Sequence, residues 1–142
     1  MTATPGPRLI RLEEFSDERG SVHHYGTTEL DSVKRVYFIS PSMSAGFRGW
    51  HGHKFESKIF RCIRGSFVVS SVKVHNWEKP EGDKSVSHEL KASEGNLLIV
   101  PAGFANGMIA LEENSQLMVM SNKSLQESLG DDFRFDPKEF AL

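Results

Sequence analysis

Residues 57–74 read SKIFRCIRGSFVVSSVKV, two apolar runs rich in Val, Ile and Phe on either side of Gly65-Ser66. Runs of this kind suit strands, and a glycine at the junction permits the positive φ of a tight turn, so the stretch predicts a hairpin. The same grammar recurs outward in both directions. RLIRLEEF (8–15), SVHHYGTT (21–28), VKRVYFIS (33–40), SVSHELKA (85–92), NLLIVPA (96–102), ANGMIAL (105–111) and SQLMVMSN (115–122) are short, apolar-rich and separated by turn residues. HNWEKPEGDKS (75–85) reads as an exposed loop, and SLQESLG (124–130) as one or two helical turns closed by Gly130 as a C-cap. About eight or nine short strands with almost no helix predict an all-β sandwich or barrel.

A chain of 142 residues predicts a single domain, 1–142, with a sizeable core needing neither disulfides nor metal. Its net charge of −2 gives no global attraction to nucleic acid or an anionic membrane, so any anion site must be a local cluster. The single cysteine, Cys62, excludes an intramolecular disulfide and fits a reducing compartment. Within IFRCIRG it reads as a small core residue. MTATPGPRLIRL carries no apolar leader segment, and no run approaches the length of a membrane span, so a cytoplasmic location is expected.

Chemistry concentrates in GFRGWHGHKFESKIF (46–60), where His51 and His53 alternate behind Arg48 and ahead of Glu56 and Lys58. Alternating histidines near a glutamate suit a metal, whereas a histidine between cations suits proton transfer on an anionic substrate. A second block, GNLLIVPAGFANG (95–107), spaces Gly95, Pro101, Gly103 and Asn106. Together the blocks resemble the two motifs of the cupin superfamily, which implies a cupin-like double-stranded β-helix (jelly roll). In metal-binding cupins two histidines and a glutamate from the first motif join a histidine from the second. Here Asn106 stands at the last position, and Glu56 follows His53 one or two residues too early. On a continuous strand Glu56 would face away from the histidines. No metal and no cofactor are expected.

The resemblance is nearer to the sugar-nucleotide branch of that superfamily, over residues 8–137. RGWHGHK and VPAGFANGM resemble motifs of the dTDP-4-dehydrorhamnose 3,5-epimerases, as does DDFRFDP. The His-x-His-Lys ending, DERGSV and VKRVYFI resemble the dTDP-4-keto-6-deoxyglucose 3,4-ketoisomerases. The resemblance implies removal of a proton beside the C4 ketone of a nucleotide-linked deoxy sugar, as in surface polysaccharide or deoxysugar biosynthesis. It implies His51 as the base and Lys58 facing the developing oxyanion. Arg48 and Arg19 would hold the nucleotide diphosphate, with Asn106 a further substrate contact. His53 and Tyr37 are added as candidate catalytic groups on the ketoisomerase likeness. On a regular strand Lys58 shares parity with neither histidine, so a bend is needed to bring it inward.

The epimerases return a proton from a tyrosine whose place is taken here by Val119, and no tyrosine follows Tyr37. A single-centre change (3-epimerisation or 3,4-ketoisomerisation) is therefore favoured over double 3,5-epimerisation. A non-catalytic sugar-binding cupin and a metal-dependent cupin enzyme are the readings of other classes. The expected partner is a nucleotide-diphosphate sugar, with neither nucleic acid nor membrane, and the expected assembly is a homodimer. Trp50 is either core or a sugar platform, and Trp77 either an interface aromatic or a lid. His23, His24, His75 and His88 lie in surface-like contexts. The charges of DERG and DDFRFDPKEF read as solvated, with phenylalanines as anchors.

Overall fold

Strand follows strand almost without interruption in the computed structural model, which describes residues 6–79 and 81–142. In order these are β1 (Arg8–Ile10), β2 (Glu13–Asp17), β3 (Gly20–His24), β4 (Arg35–Ile39), β5 (Arg48–His53), β6 (Lys58–Arg64) and β7 (Ser66–Asn76). They continue as β8 (Glu81–Gly82), β9 (Val86–Lys91), β10 (Leu97–Val100), β11 (Phe104–Ala110) and β12 (Gln116–Ser121). A single helical turn and a half, α1 (Leu125–Leu129), precedes β13 (Phe133–Arg134). The N-terminal residues 1–5 and Pro80 lie outside the described residues, and with them part of the reading of the N-terminus and of the 75–85 loop. Among the described residues no helix is long and apolar enough to cross a membrane.

Two antiparallel sheets carry the architecture. One runs β1-β10-β6-β12-β4; the other runs β13-β5-β11-β7-β8, with β9 also paired to β7. Alternation along each strand decides which side chains meet between them. Leu117, Val119 and Ser121 of β12 are buried while Met118 and Met120 are only half-buried. Phe60, Cys62, Leu98, Val100, Leu117 and Val119 of the first sheet pack against Phe67, Val69, Leu90, Phe104 and Met108 of the second. Each such aliphatic or aromatic side chain contributes about 1.5–3 kcal/mol on full burial. A second cluster, with Trp50, Val72, Val74, Ala105 and Phe140, covers the outer face of the second sheet. The sandwich is the jelly roll expected from the sequence.

The hairpin predicted at Gly65 does not form. β6 and β7 belong to different sheets, and Gly65, at φ 73°, turns the chain across the sandwich instead of back along a neighbour. Ser115 secures the corner by accepting the Ser66 N–H at 3.2 Å. A Cβ on residue 65 would run into that serine. RLIRLEEF, taken as one strand, divides into β1 and β2, which pair with different partners. The 75–85 segment is not wholly loop, because β8 folds back onto β7. Gly130 ends α1 in the right-handed region, φ −85°, rather than as a left-handed cap. The start of α1 is fixed by a reciprocal capping box between Ser124 and Glu127.

Candidate active site

β5 is held by its outward face. Trp50, wholly buried, meets Phe47 and Phe140 edge-on at ring separations of 5.1 and 5.5 Å, and its indole N–H donates to the Pro137 carbonyl at 3.2 Å. Trp50 is thus core and not a sugar platform. The alternate residues, His51 and His53, then point between the sheets. Opposite them on β11, His51 pairs with Asn106 and His53 with Phe104. The ladder slips between Asn106 and Met108, where glycines allow close approach. A Cβ on Gly49 would lie 2.8 Å from the Gly107 Cα.

Between β4 and β6 of one sheet and β5 and β11 of the other lies a cavity of about 360 Å³. Tyr37, Arg48, His51, Lys58 and Asn106 supply its polar wall, with Phe60, Met108 and Ile39 below. Among the described residues no carboxylate lines it. Burial first, then the charges of Lys58, Arg134 and Arg48, push the His51 imidazole down to about 4, against a smaller opposing pull from Asp132. At neutral pH it is therefore a free base in a positive enclosure, a setting that accepts a proton from a bound molecule and favours an anion. Lys58 and Arg35 both lie over the Tyr37 ring, 5.7 and 5.1 Å from its centroid.

Behind this wall the chain departs from strand geometry. β5 ends at His53 and β6 starts at Lys58; the turn between them is held by Asp131, whose carboxylate accepts the N–H groups of Lys54, Phe55 and Glu56 at 2.8, 2.8 and 2.9 Å. The turn resets parity, so Lys58 joins Phe60 and Cys62 on the inner face. Glu56, expected to face away from the histidines, is instead buried beside His53. Its Oε1 stands 3.9 Å from His53 Nδ1, and its Oε2 3.4 Å from Arg35 and 3.8 Å from Lys58. His53 donates Nδ1–H to the Asp131 carbonyl at 2.7 Å, which leaves Nε2 as the unprotonated nitrogen. Burial and the Lys58 charge lower its pKa.

Of the residues predicted from sequence, His51, Lys58, Tyr37, Arg48 and Asn106 come together around one cavity. His53 does not line it; the ring is buried behind, 4% exposed. Arg19 does not line it and is paired to Asp17 at the tip of the β2–β3 hairpin. Trp77 is no lid: it packs against Phe133 and Phe135 on the outer side of the second sheet. His88, read as lying in a surface-like context, is half-buried, and burial lowers its pKa. The sequence reading missed Arg35, the inward Glu56 and Asp131, which is 5% exposed and not a solvated charge. Nothing local distinguishes Asp131 from Asp132. Among the described residues no three His, Cys, Asp or Glu side chains gather as a metal-holding group.

Comparison with known proteins agrees with this fold. A dTDP-4-dehydrorhamnose 3,5-epimerase of Salmonella typhimurium is 28% identical over 127 residues, covering 82% of this chain and 69% of the relative. An rmlC epimerase of Mycobacterium tuberculosis superposes with a TM-score of 0.78 at 20% identity, over 100% of this chain and 76% of that one. A double mutant of the QdtA 3,4-ketoisomerase of Thermoanaerobacterium thermosaccharolyticum, solved with TDP, gives a TM-score of 0.71 at 22% identity over 97% and 94% of the two chains. Another mutant of that ketoisomerase has been solved with TDP-4-keto-6-deoxyglucose. The model of the family described as FdtA: WxcM-like, C-terminal matches residues 5–142, and the chain belongs to that family.

Proposed function

We propose that the protein is an isomerase of a nucleotide-linked 4-keto-deoxy sugar, and that His51 removes the proton from the carbon beside the C4 ketone. The observation that carries this reading is the neutral His51 imidazole between two cations, Arg48 and Lys58, in a cavity without carboxylates. The C–H electron pair moves to the C4 oxygen, where the Lys58 ammonium donates to the enolate. Arg48, at the exposed start of β5, suits the diphosphate, since its planar fork donates to two phosphate oxygens at once. Asn106, opposite His51, can bond a sugar oxygen. Tyr37 completes the wall, and His53 supports it from behind.

A single-centre outcome is favoured because β12 presents Val119, fully buried, opposite Tyr37 and offers no proton donor there. In 3-epimerisation the proton taken by His51 is lost to solvent and water reprotonates the carbon from the other face. In 3,4-ketoisomerisation the abstracted proton goes to C4 while the hydroxyl proton passes from O3 to O4. The identity to a 3,5-epimerase keeps double epimerisation as the second reading. The proposed assembly is a homodimer. The β2–β3 hairpin pairs with no other strand of its chain among the described residues, although an isolated hairpin is marginally stable. Phe15 and Val22 are 61% and 63% exposed on one side of it. Docked on a second copy, it would bring Arg19 to that copy's nucleotide.

Incubation with TDP-4-keto-6-deoxyglucose in D2O tests the reading. Inversion with deuterium at C3 identifies a 3-epimerase, and a C3 ketone, with or without deuterium at C4, a ketoisomerase. Label at both C3 and C5 would establish the second reading. Binding without exchange or conversion of the sugar, across several nucleotides, would overturn the enzyme reading in favour of sugar binding, and turnover only after metal addition would favour a metal-dependent enzyme.

A further inference from the structure

The buried charges behind the cavity carry an inference that deepens the proposed function and rests on its assignment of Lys58 to the enolate oxygen. We infer that Glu56 is the positioning residue of the site: its carboxylate holds the Lys58 ammonium at the cavity wall. Lysine places its charge on a flexible four-carbon stem, so an ammonium meets a reacting oxygen reproducibly only if something fixes it. Glu56 is the one carboxylate paired with Lys58 among the described residues, at 3.8 Å, and its side chain is wholly buried. Glu56 does not line the cavity, so it reaches a bound sugar only through Lys58.

Glu56 is itself fixed at its backbone and at one carboxylate oxygen. Its backbone N–H is bound to Asp131 at 2.9 Å, and its Oε2 accepts from Arg35 at 3.4 Å. Arg35 in turn donates to the Lys123 carbonyl at 3.2 Å. The two cations that flank Oε2 are the same two that lie over Tyr37, so one anion sets the placement of a lysine, an arginine and the ring between them. The cluster is stable only as a unit, because a buried ammonium or guanidinium without its anion is strongly disfavoured.

The test uses full-length protein carrying 13C at the lysine ε-carbon, with the Lys58 signal identified by its loss in Lys58→Met. In Glu56→Gln that signal should move to the position of solvent-exposed lysines. Turnover should fall about 10²-fold, as for a misplaced catalytic group, with KM changed less than about threefold. In the Lys58→Met background, Glu56→Gln should remove no further activity. An unmoved Lys58 signal, or an equal loss of turnover in both backgrounds, would overturn the inference. Should Glu56→Gln fail to fold, Glu56→Asp, which withdraws the carboxylate by one methylene, must shift the same signal or the inference fails. If the wild-type protein turns over no 4-keto sugar, the proposed function is wrong, yet the lysine signal still decides whether Glu56 sets Lys58.

Discussion

His51 and Asn106 face each other directly across the β5–β11 ladder, so a proton acceptor and an amide project side by side into the cavity. Their roles differ in kind, and so should their substitutions. His51→Asn should reduce deuterium exchange into the sugar by about 10²–10⁴-fold, the usual contribution of a positioned base. Asn106→Ala removes one neutral hydrogen bond and should lower kcat/KM by about tenfold at most. Equal losses from the two would show that the imidazole acts as a mere contact.

The pH profile of kcat/KM follows from the positive surroundings of His51. Burial and the neighbouring Lys58, Arg134 and Arg48 disfavour the imidazolium and lower its pKa to about 4. The base works in its neutral form, so activity should stay level as pH falls from neutral and be halved only at about pH 4. An acid limb centred near the ordinary histidine value of about 6.5 would assign the base elsewhere.

Stability should respond to acid over the same interval. His51, His53 and His88 all have lowered pKa values in the folded protein, with burial the leading cause for each. The unfolded chain takes up these protons below about pH 6.5 while the folded one resists, so their contribution is complete above that value and is lost as pH falls. Calorimetry should find Tm falling steadily below about pH 6.5. The fall should be shallower in His88→Gln, which cannot charge.

The β2–β3 hairpin offers a separate check. Replacing Phe15 with glutamate puts a charge on the exposed apolar patch it forms with Val22, and sedimentation should then register a monomer in place of a dimer. KM for the sugar nucleotide should rise about 10-fold or more if Arg19 serves the second copy's diphosphate. A wild-type protein that sediments as a monomer would remove the basis for that role.

What was legible in the sequence was local. Alternating apolar runs identified most strands, among them NLLIVPA and ANGMIAL, which contain β10 and most of β11. Which strand lies beside which is a long-range matter. Gly65 has the positive φ of a hairpin turn, but packing of β6 and β7 into opposite sheets gives that turn another use. Glu56 was misplaced because parity counting assumed a strand through residues that Asp131 bends into a turn, the same bend that an inward Lys58 requires. No pattern near residue 54 announces a carboxylate so far along the chain. Arg19 was placed by family likeness alone, and in the single chain it does not line the cavity.

The Asp131 attachment also sets a timescale for the site. One carboxylate shields three successive amides, at residues 54, 55 and 56, from a point 75 to 77 positions away in the chain. Those amides can exchange with deuterium only when the segment carrying Asp131 lifts, so they should open together, as one cooperative unit with β13. The turn that presents Lys58 then has no independent lifetime; it persists as long as the C-terminal segment stays closed over β5.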